Sequence, residues 1–375
     1  MKVMIIFFYI LAIIPLVIGG YFYYKNSSVI AWEWLAGSIF AFIVAGVWHF
    51  AIIKGMTADH ETWSGHVITS TFHPMWIEEY TETETETDSK GNTRTRTVTK
   101  HRTHPEHWTV ECTVGGERKI SHAQYDDIAN MFGNKIDKVY EWKSGFDGGD
   151  SNIYIARNMT NYIYPTTTWK YFENKIKAAP SIYSYAKVPE NIKVFNYPQN
   201  NDIFNSNRLL GTASQTFNLR TFDQLNTELG PKKKVNLIII GFGPNSSSEI
   251  GKYQEAKFIG GKKNDLVICY GGGTIYKPTW AYVFGWTEKS QVKRELEKIC
   301  LTENMTVSVL PKFRNAIIQY YTIKDWSKFD YIQVSPPNWS YPVYILVVIL
   351  TQGIFWYFAM NNNYRKENQY RSSRY

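Results

Sequence analysis

The chain has 375 residues and a net charge of +8, enough length for one or two compact domains beside any membrane segments. Its basic residues are scattered rather than gathered into a stripe, which argues against a nucleic-acid partner. Three cysteines, Cys112, Cys269 and Cys300, are too few and odd in number for a disulfide framework.

Residues 3–24 (VMIIFFYILAIIPLVIGGYFYY) carry no charge, and residues 29–53 are apolar apart from Glu33 and His49. A bilayer core about 30 Å thick needs roughly 20 apolar helical residues, so residues 1–56 read as a transmembrane helical hairpin. The first run is too long for a usual signal-peptide core, and no small-residue cleavage site follows it. It is expected to be a retained helix. Trp32, Trp34 and Trp48 suit the interfacial belts. Glu33 reads either as a boundary residue reaching the interface or as an intramembrane functional acid.

Residues 57–206 form a polar, β-rich soluble region. Its clearest piece is the stretch 80–100, YTETETETDSKGNTRTRTVTK. Alternation of period two on both sides of a turn-forming DSKGN centre predicts a long projecting β-hairpin. The register that places residue 88 opposite 92 sets Glu86 against Arg94 and Glu84 against Arg96, with threonines on the other face. Neither face is apolar. The ribbon is therefore expected to stand in solvent as an arm, with Glu82, Glu84, Glu86, Arg94 and Arg96 as its partner-binding residues.

At the base of the arm the same register brings His73 towards His107, with His101 and His104 nearby. Clustered imidazoles are a possible metal set, so His73, His104 and His107 are the metal candidates. The His-x-x-His spacing on a strand points to alternate faces, and the chain has no zinc motif. No cofactor is expected.

Further along, residues 121–132 predict a short helix capped by Ser121. Residues 145–150 (GFDGGD) predict a loop in which Asp147 and Asp150 are faint cation candidates. Residues 169–179 predict a helix stopping before Pro180, and residues 189–198 a strand-loop passage.

The most regular part lies in residues 207–335. A helix over residues 221–229, ended by Gly230-Pro231, leads into the buried-strand signal VNLIII at 235–240. A helix at 247–258, a second buried strand at 266–270, a third at 280–286 and a helix at 288–300 follow. This alternation argues for an α/β sandwich-like domain. Residues 341–360 supply a further apolar run. The tail 361–375 carries Arg365, Lys366, Arg371 and Arg374 and belongs in the cytoplasm by the positive-inside rule. The fold class is then α+β, with a transmembrane hairpin, an outer soluble part and a C-terminal transmembrane helix, held in an inner or plasma membrane.

The order of helix, VNLIII strand, helix and GGKKNDLVICYGGG turn-and-strand resembles the TPM domain of membrane-tethered proteins, over about residues 207–323. The whole arrangement is also similar to membrane proteins of bacteria and large phages. The TPM resemblance implies an α/β domain beside membrane helices, and for some members a metal-dependent phosphatase activity. Here Gly271-Gly272-Gly273-Thr274-Ile275-Tyr276 replaces the acidic and arginine residues that usually follow the second strand. No nucleophile elbow, dinucleotide turn or Walker lysine is present.

Two functions follow as expectations. The first is a non-enzymatic, membrane-anchored module whose arm and α/β domain engage a membrane-protein partner or copies of the chain itself. The alternative is a metal-dependent phosphoester hydrolase, resting on Gly271–Gly273, Asp147 and Asp150, and the pair His73 and His107.

Overall fold

The computed structural model describes residues 13–14, 16–21, 23–24, 31–87, 91, 93–132, 137–142, 151–158, 163–179, 187–199, 202–204 and 206–360. The fold is mixed α+β, and the chain divides into two compact units, residues 1–59, 171–184 and 326–375 in one and residues 60–170 and 185–325 in the other.

Among the described residues, the longest helices of the first unit are the apolar α1 (Ala31–Thr57) and, nearer the other end of the chain, α9 (Ser340–Met360). Both are long and apolar enough to cross a membrane. At about 1.5 Å per residue they reach roughly 40 and 30 Å. Helix α1 ends four residues beyond the apolar run 29–53. The seam between the helices uses small residues. Ala41 and Ala45 are buried with Tyr344, flanked by Trp48 and Val348. A Cβ on Gly37 would come within 2.6 Å of the Phe355 ring, so this glycine allows close approach. The opposite faces, including Ile43, Val47, Ile349 and Phe358, are exposed. Of the run 3–24, residues 13–14, 16–21 and 23–24 are helical, and the rest lies outside the described residues. Trp34 donates its indole N–H to Leu16 O at 2.8 Å.

Asn174 links the end of α1 to residues 171–184 of this unit. Its backbone N–H reaches Thr57 O at 2.6 Å, its amide donates to Asp59 Oδ2 at 2.8 Å, and its Oδ1 caps Lys177 N. The helix expected over residues 169–179 is not formed. Strand β8 (Pro165–Glu173) runs through most of it, and only the one-turn helix α3 (Lys175–Ala178) remains. The reason lies in Thr166, Thr167 and Thr168, whose branched side chains suit a pleated surface. All three are buried.

Among the described residues, the second unit holds three sheets. In the first, strands β1 (Ala58–His73), β4 (His107–Cys112), β5 (Gly116–Ile120), β6 (Asp137–Trp142) and β7 (Ser151–Asn158) take the order β5-β4-β1-β7-β6, and β8 pairs with β1. Helix α2 (His122–Phe132) follows β5. Ser121 Oγ accepts from Gln124 N, and Gln124 Oε1 accepts from Ser121 N, a reciprocal capping box.

The second sheet is the two-stranded ribbon of β2 (Trp76–Thr87) and β3 (Thr93–His104).

The third sheet has the order β12-β11-β10-β9. Strands β9 (Leu209–Gly211), β10 (Asn236–Gly241) and β11 (Asp265–Gly271) are parallel, and β12 (Trp280–Gly285) is antiparallel. Successive residues of β10 and β11 are buried on both faces, as parallel strands between layers require. Leu237, Ile239, Leu266 and Ile268 face a core shared with α5 (Leu219–Lys233), α7 (Gln291–Thr302) and α8 (Leu310–Tyr320). Ile238, Ile240, Val267 and Cys269 face Phe258 of α6 (Glu249–Phe258) and the extended segment bearing Phe195 and Tyr197. Helix α4 (Ala213–Thr216) fills the turn after β9.

Gly230-Pro231 does not end its helix. Helix α5 runs through both residues to Lys233 and stops at Lys234 in the left-handed conformation. Gly230 packs against Ser64, and burial outweighs its low helix propensity. All three cysteines are free and buried.

Candidate functional site

The ribbon β2–β3 is a long and largely exposed element of the second unit. Each strand has twelve residues, so the ribbon extends about 40 Å at roughly 3.3 Å per residue. One register runs from Thr69↔Glu111 through His73↔His107 and Trp76↔His104 to Thr87↔Thr93, crossing the breaks at Pro74-Met75 and Pro105-Glu106. Proline lacks the N–H a ladder needs, so the prolines divide one long hairpin into a buried root and an exposed arm.

Glu86 lies opposite Arg94, and Glu84 opposite Arg96. Thr81, Thr83, Thr85 and Thr87 face Thr99, Thr97, Thr95 and Thr93 on the other side. Beyond Tyr80, all of β2 and nearly all of the paired part of β3 are exposed on both faces. Arg102 reaches Glu78 directly across the ladder at 3.7 Å, but the pairs nearer the turn do not follow the register. Lys100 reaches Glu82 at 2.8 Å and Glu84 at 2.7 Å, contacts that run diagonally. Hydrogen bonds from Lys100 hold the Glu84 carboxyl below its ordinary range, and those two carboxylates hold the Lys100 ammonium above its own. Among the described residues, Glu86, Arg94 and Arg96 have no ion-pair partner.

At the root, the rings of His73 and His107 stack with centroids 4.4 Å apart, and His73 Nε2 lies 2.9 Å from Thr109 Oγ1. His104 is engaged elsewhere, stacked on Trp76 at 4.2 Å and 2.8 Å from Glu78 Oε2. The three histidines named as metal candidates are therefore a stacked pair and a separate third. Among the described residues no three His, Cys, Asp or Glu side chains gather in a metal-holding group. Asp147 and Asp150 lie outside the described residues.

The glycine turn after β11 is occupied by its own hydrogen bonds. Gly272 N donates to Ser246 Oγ at 3.1 Å and to Gly243 O at 3.3 Å, and Gly271 O accepts from Thr279 N at 3.0 Å. Positive φ at Gly272 and Gly273 makes the turn. The Gly272 donor that a phosphate cradle would use already points at protein oxygen.

Two further arrangements escaped the sequence. Arg208, 1% exposed, sits at the centre of a buried network. It donates to Ser64 Oγ, Asn236 Oδ1, Thr167 Oγ1 and Asp223 Oδ1, and Asn236 passes the network on to Asp265. Burial pushes the Asp223 and Asp265 carboxyls up and the Arg208 guanidinium down. The only signal in the sequence is a charge immediately before the apolar pair Leu209-Leu210. The second arrangement is an open groove lined by Met131, Leu225, Leu310, Arg220 and Arg314. Arg314 is committed to Glu228 through two guanidinium nitrogens, and Arg220 points at the Met131 sulfur.

No family model, curated protein or solved structure matches this chain.

Proposed function

We propose that this protein is a membrane-anchored, non-enzymatic assembly module, and that its charged ribbon is the element presented to a membrane-protein partner or to copies of the chain. The observation that carries this reading is a ribbon with two polar, exposed faces. From Thr81 to the turn nearly every described residue of the ribbon is exposed, and a two-stranded ribbon is marginal in isolation. Among the described residues, Glu86, Arg94 and Arg96, which have no ion-pair partner, are the ribbon charges nearest the turn.

The two long apolar helices, with small residues between them and large apolar residues outside, support anchorage. In this proposal lipid is the first partner, the soluble part stands on the outer side of an inner or plasma membrane, and the basic tail is cytoplasmic. The arginines and lysine of residues 361–375 support that orientation. The strand-helix-strand order over residues 235–270 supports a TPM-like character for the α/β part.

The test is a photo-reactive amino acid at position 86 of the full chain in its native membrane. The expected result is a crosslinked protein product. Only unmodified monomer, with the same probe at an equally exposed site away from the ribbon as control, would contradict the proposal.

A further inference from the structure

The geometry points to a second copy of this chain as the occupant of the ribbon's edges, joined head to tail, β2 of one copy beside β3 of the next. This inference rests on the interaction reading above and names its partner.

Among the described residues the ribbon is a sheet of two strands, so each strand pairs on one side and presents its other edge. In an antiparallel pair, alternate residues aim their N–H and C=O groups away from the partner, about six per twelve-residue strand. Open edges of this kind accept another strand. The charges decide which strand. Strand β2 carries Glu78, Glu79, Glu82, Glu84 and Glu86 and no base. Strand β3 carries Arg94, Arg96, Lys100 and Arg102 and no acid.

Pairing β2 with β2, or β3 with β3, sets like charges side by side, which is destabilising across a ladder. Pairing β2 with the neighbour's β3 in the internal register sets Glu84 beside the neighbour's Arg96 and Glu86 beside its Arg94. It also sets threonine beside threonine on the other face. Inside one copy, Lys100 takes Glu82 and Glu84, and among the described residues Arg94, Arg96 and Glu86 are left without an ion-pair partner. Those three are the groups the neighbouring copy would engage.

This contact is heterologous. Hairpins joined by it all point the same way, and repetition closes a ring or continues as a row. Charge on an exposed edge commonly prevents strand addition. Here each edge is uniform in sign and opposite to the other, so the same charges block like-with-like pairing and favour the unlike pair.

The experiment uses the buried state of Cys112, Cys269 and Cys300, which leaves introduced thiols as the reactive ones. Full-length T85C and T95C chains, each on the threonine face so that every charge is kept, are co-reconstituted in vesicles and mildly oxidised. The expected result is a mixed T85C–T95C dimer in roughly tenfold excess over either like-with-like product, the excess falling with salt. A dominant T85C–T85C or T95C–T95C product would overturn the head-to-tail pairing while leaving self-association standing. No crosslink between copies would overturn the inference, and the interaction reading would then stand or fall on the native-membrane probe at position 86.

Discussion

Lys100 lies 2.7 Å from Glu84, while Arg96, the residue directly opposite Glu84 in the ladder, has no ion-pair partner among the described residues. The diagonal contact follows from the reach of a lysine on a twisted ribbon. Because the pair is exposed, removing it costs little. A K100A chain is expected to unfold at nearly the same denaturant midpoint as the parent, since a solvent-exposed pair contributes little. Its Glu84 carboxyl is expected to titrate closer to the ordinary range, which NMR titration of labelled glutamate reads directly. A Glu84 titration unchanged by K100A would remove the diagonal pair from this description.

The buried network makes a larger demand. Replacing Arg208 by methionine leaves the Asp223 carboxyl enclosed without its cation, and the expected loss is about 3–5 kcal/mol. A double R208M/D223L chain is expected to recover part of that loss, since an apolar pair of similar volume avoids the stranded charge. Denaturant unfolding in detergent, followed through the α/β part, measures both. A double variant no more stable than R208M would contradict the role given to the ion pair.

Much of this architecture was legible because its signals are local. Period-two alternation around a turn is enough to set the ribbon register, and VNLIII is readable as a buried strand within six residues. Ser121 and Gln124, three apart, carry their own capping signal. Arg208 was not legible because its partners Ser64 and Thr167 come from another sheet, far away in sequence. Residues 169–179 misled because alternating aromatic and lysine residues satisfy a helical face and a strand face alike. Long-range pairing with β1 chose the strand. Pro231 misled for a similar reason: a proline near a helix end reads as a stop, yet here the packing of Gly230 on Ser64 carries the helix past it.

Acid is expected to destabilise the second unit through Glu228. Hydrogen bonds from Arg314, then from Lys232, hold its carboxyl down to about 2. A folded-state value below the unfolded one gives stability that is present above the ordinary carboxylate range and lost as pH falls towards 2. The group is partly exposed, so solvent screening limits the contribution to about 1 kcal/mol or less. Asp265 works in the opposite sense. Burial raises its carboxyl, so its contribution is fullest at low pH and is lost as pH rises through the folded-state value. Thermal unfolding from pH 5 to pH 2 is expected to be less pH-dependent for E228Q than for the parent chain. An equal slope for both would exclude Glu228 as a source.

Gly211 is expected to tolerate no side chain. Its φ is +62°, and a Cβ there would come within 2.1 Å of Gly241 O, on the strand it pairs with. G211A is expected to cost more than about 2 kcal/mol, from backbone strain and displacement of β9. The readout is the unfolding midpoint beside that of G243A, where nothing lies within 4 Å of the added Cβ. Equal midpoints would argue against the close approach.

The ribbon's purpose is open to one comparison above the others: native mass spectrometry of the detergent-solubilised full chain beside a chain in which residues 82–96 are replaced by a short turn. Complexes of several copies, or of the chain with a second protein, that fall to monomer when the ribbon is shortened are the expected result. A monomer in both, with the shortened chain equally stable and equally membrane-bound, would contradict the reading of the ribbon as an assembly device.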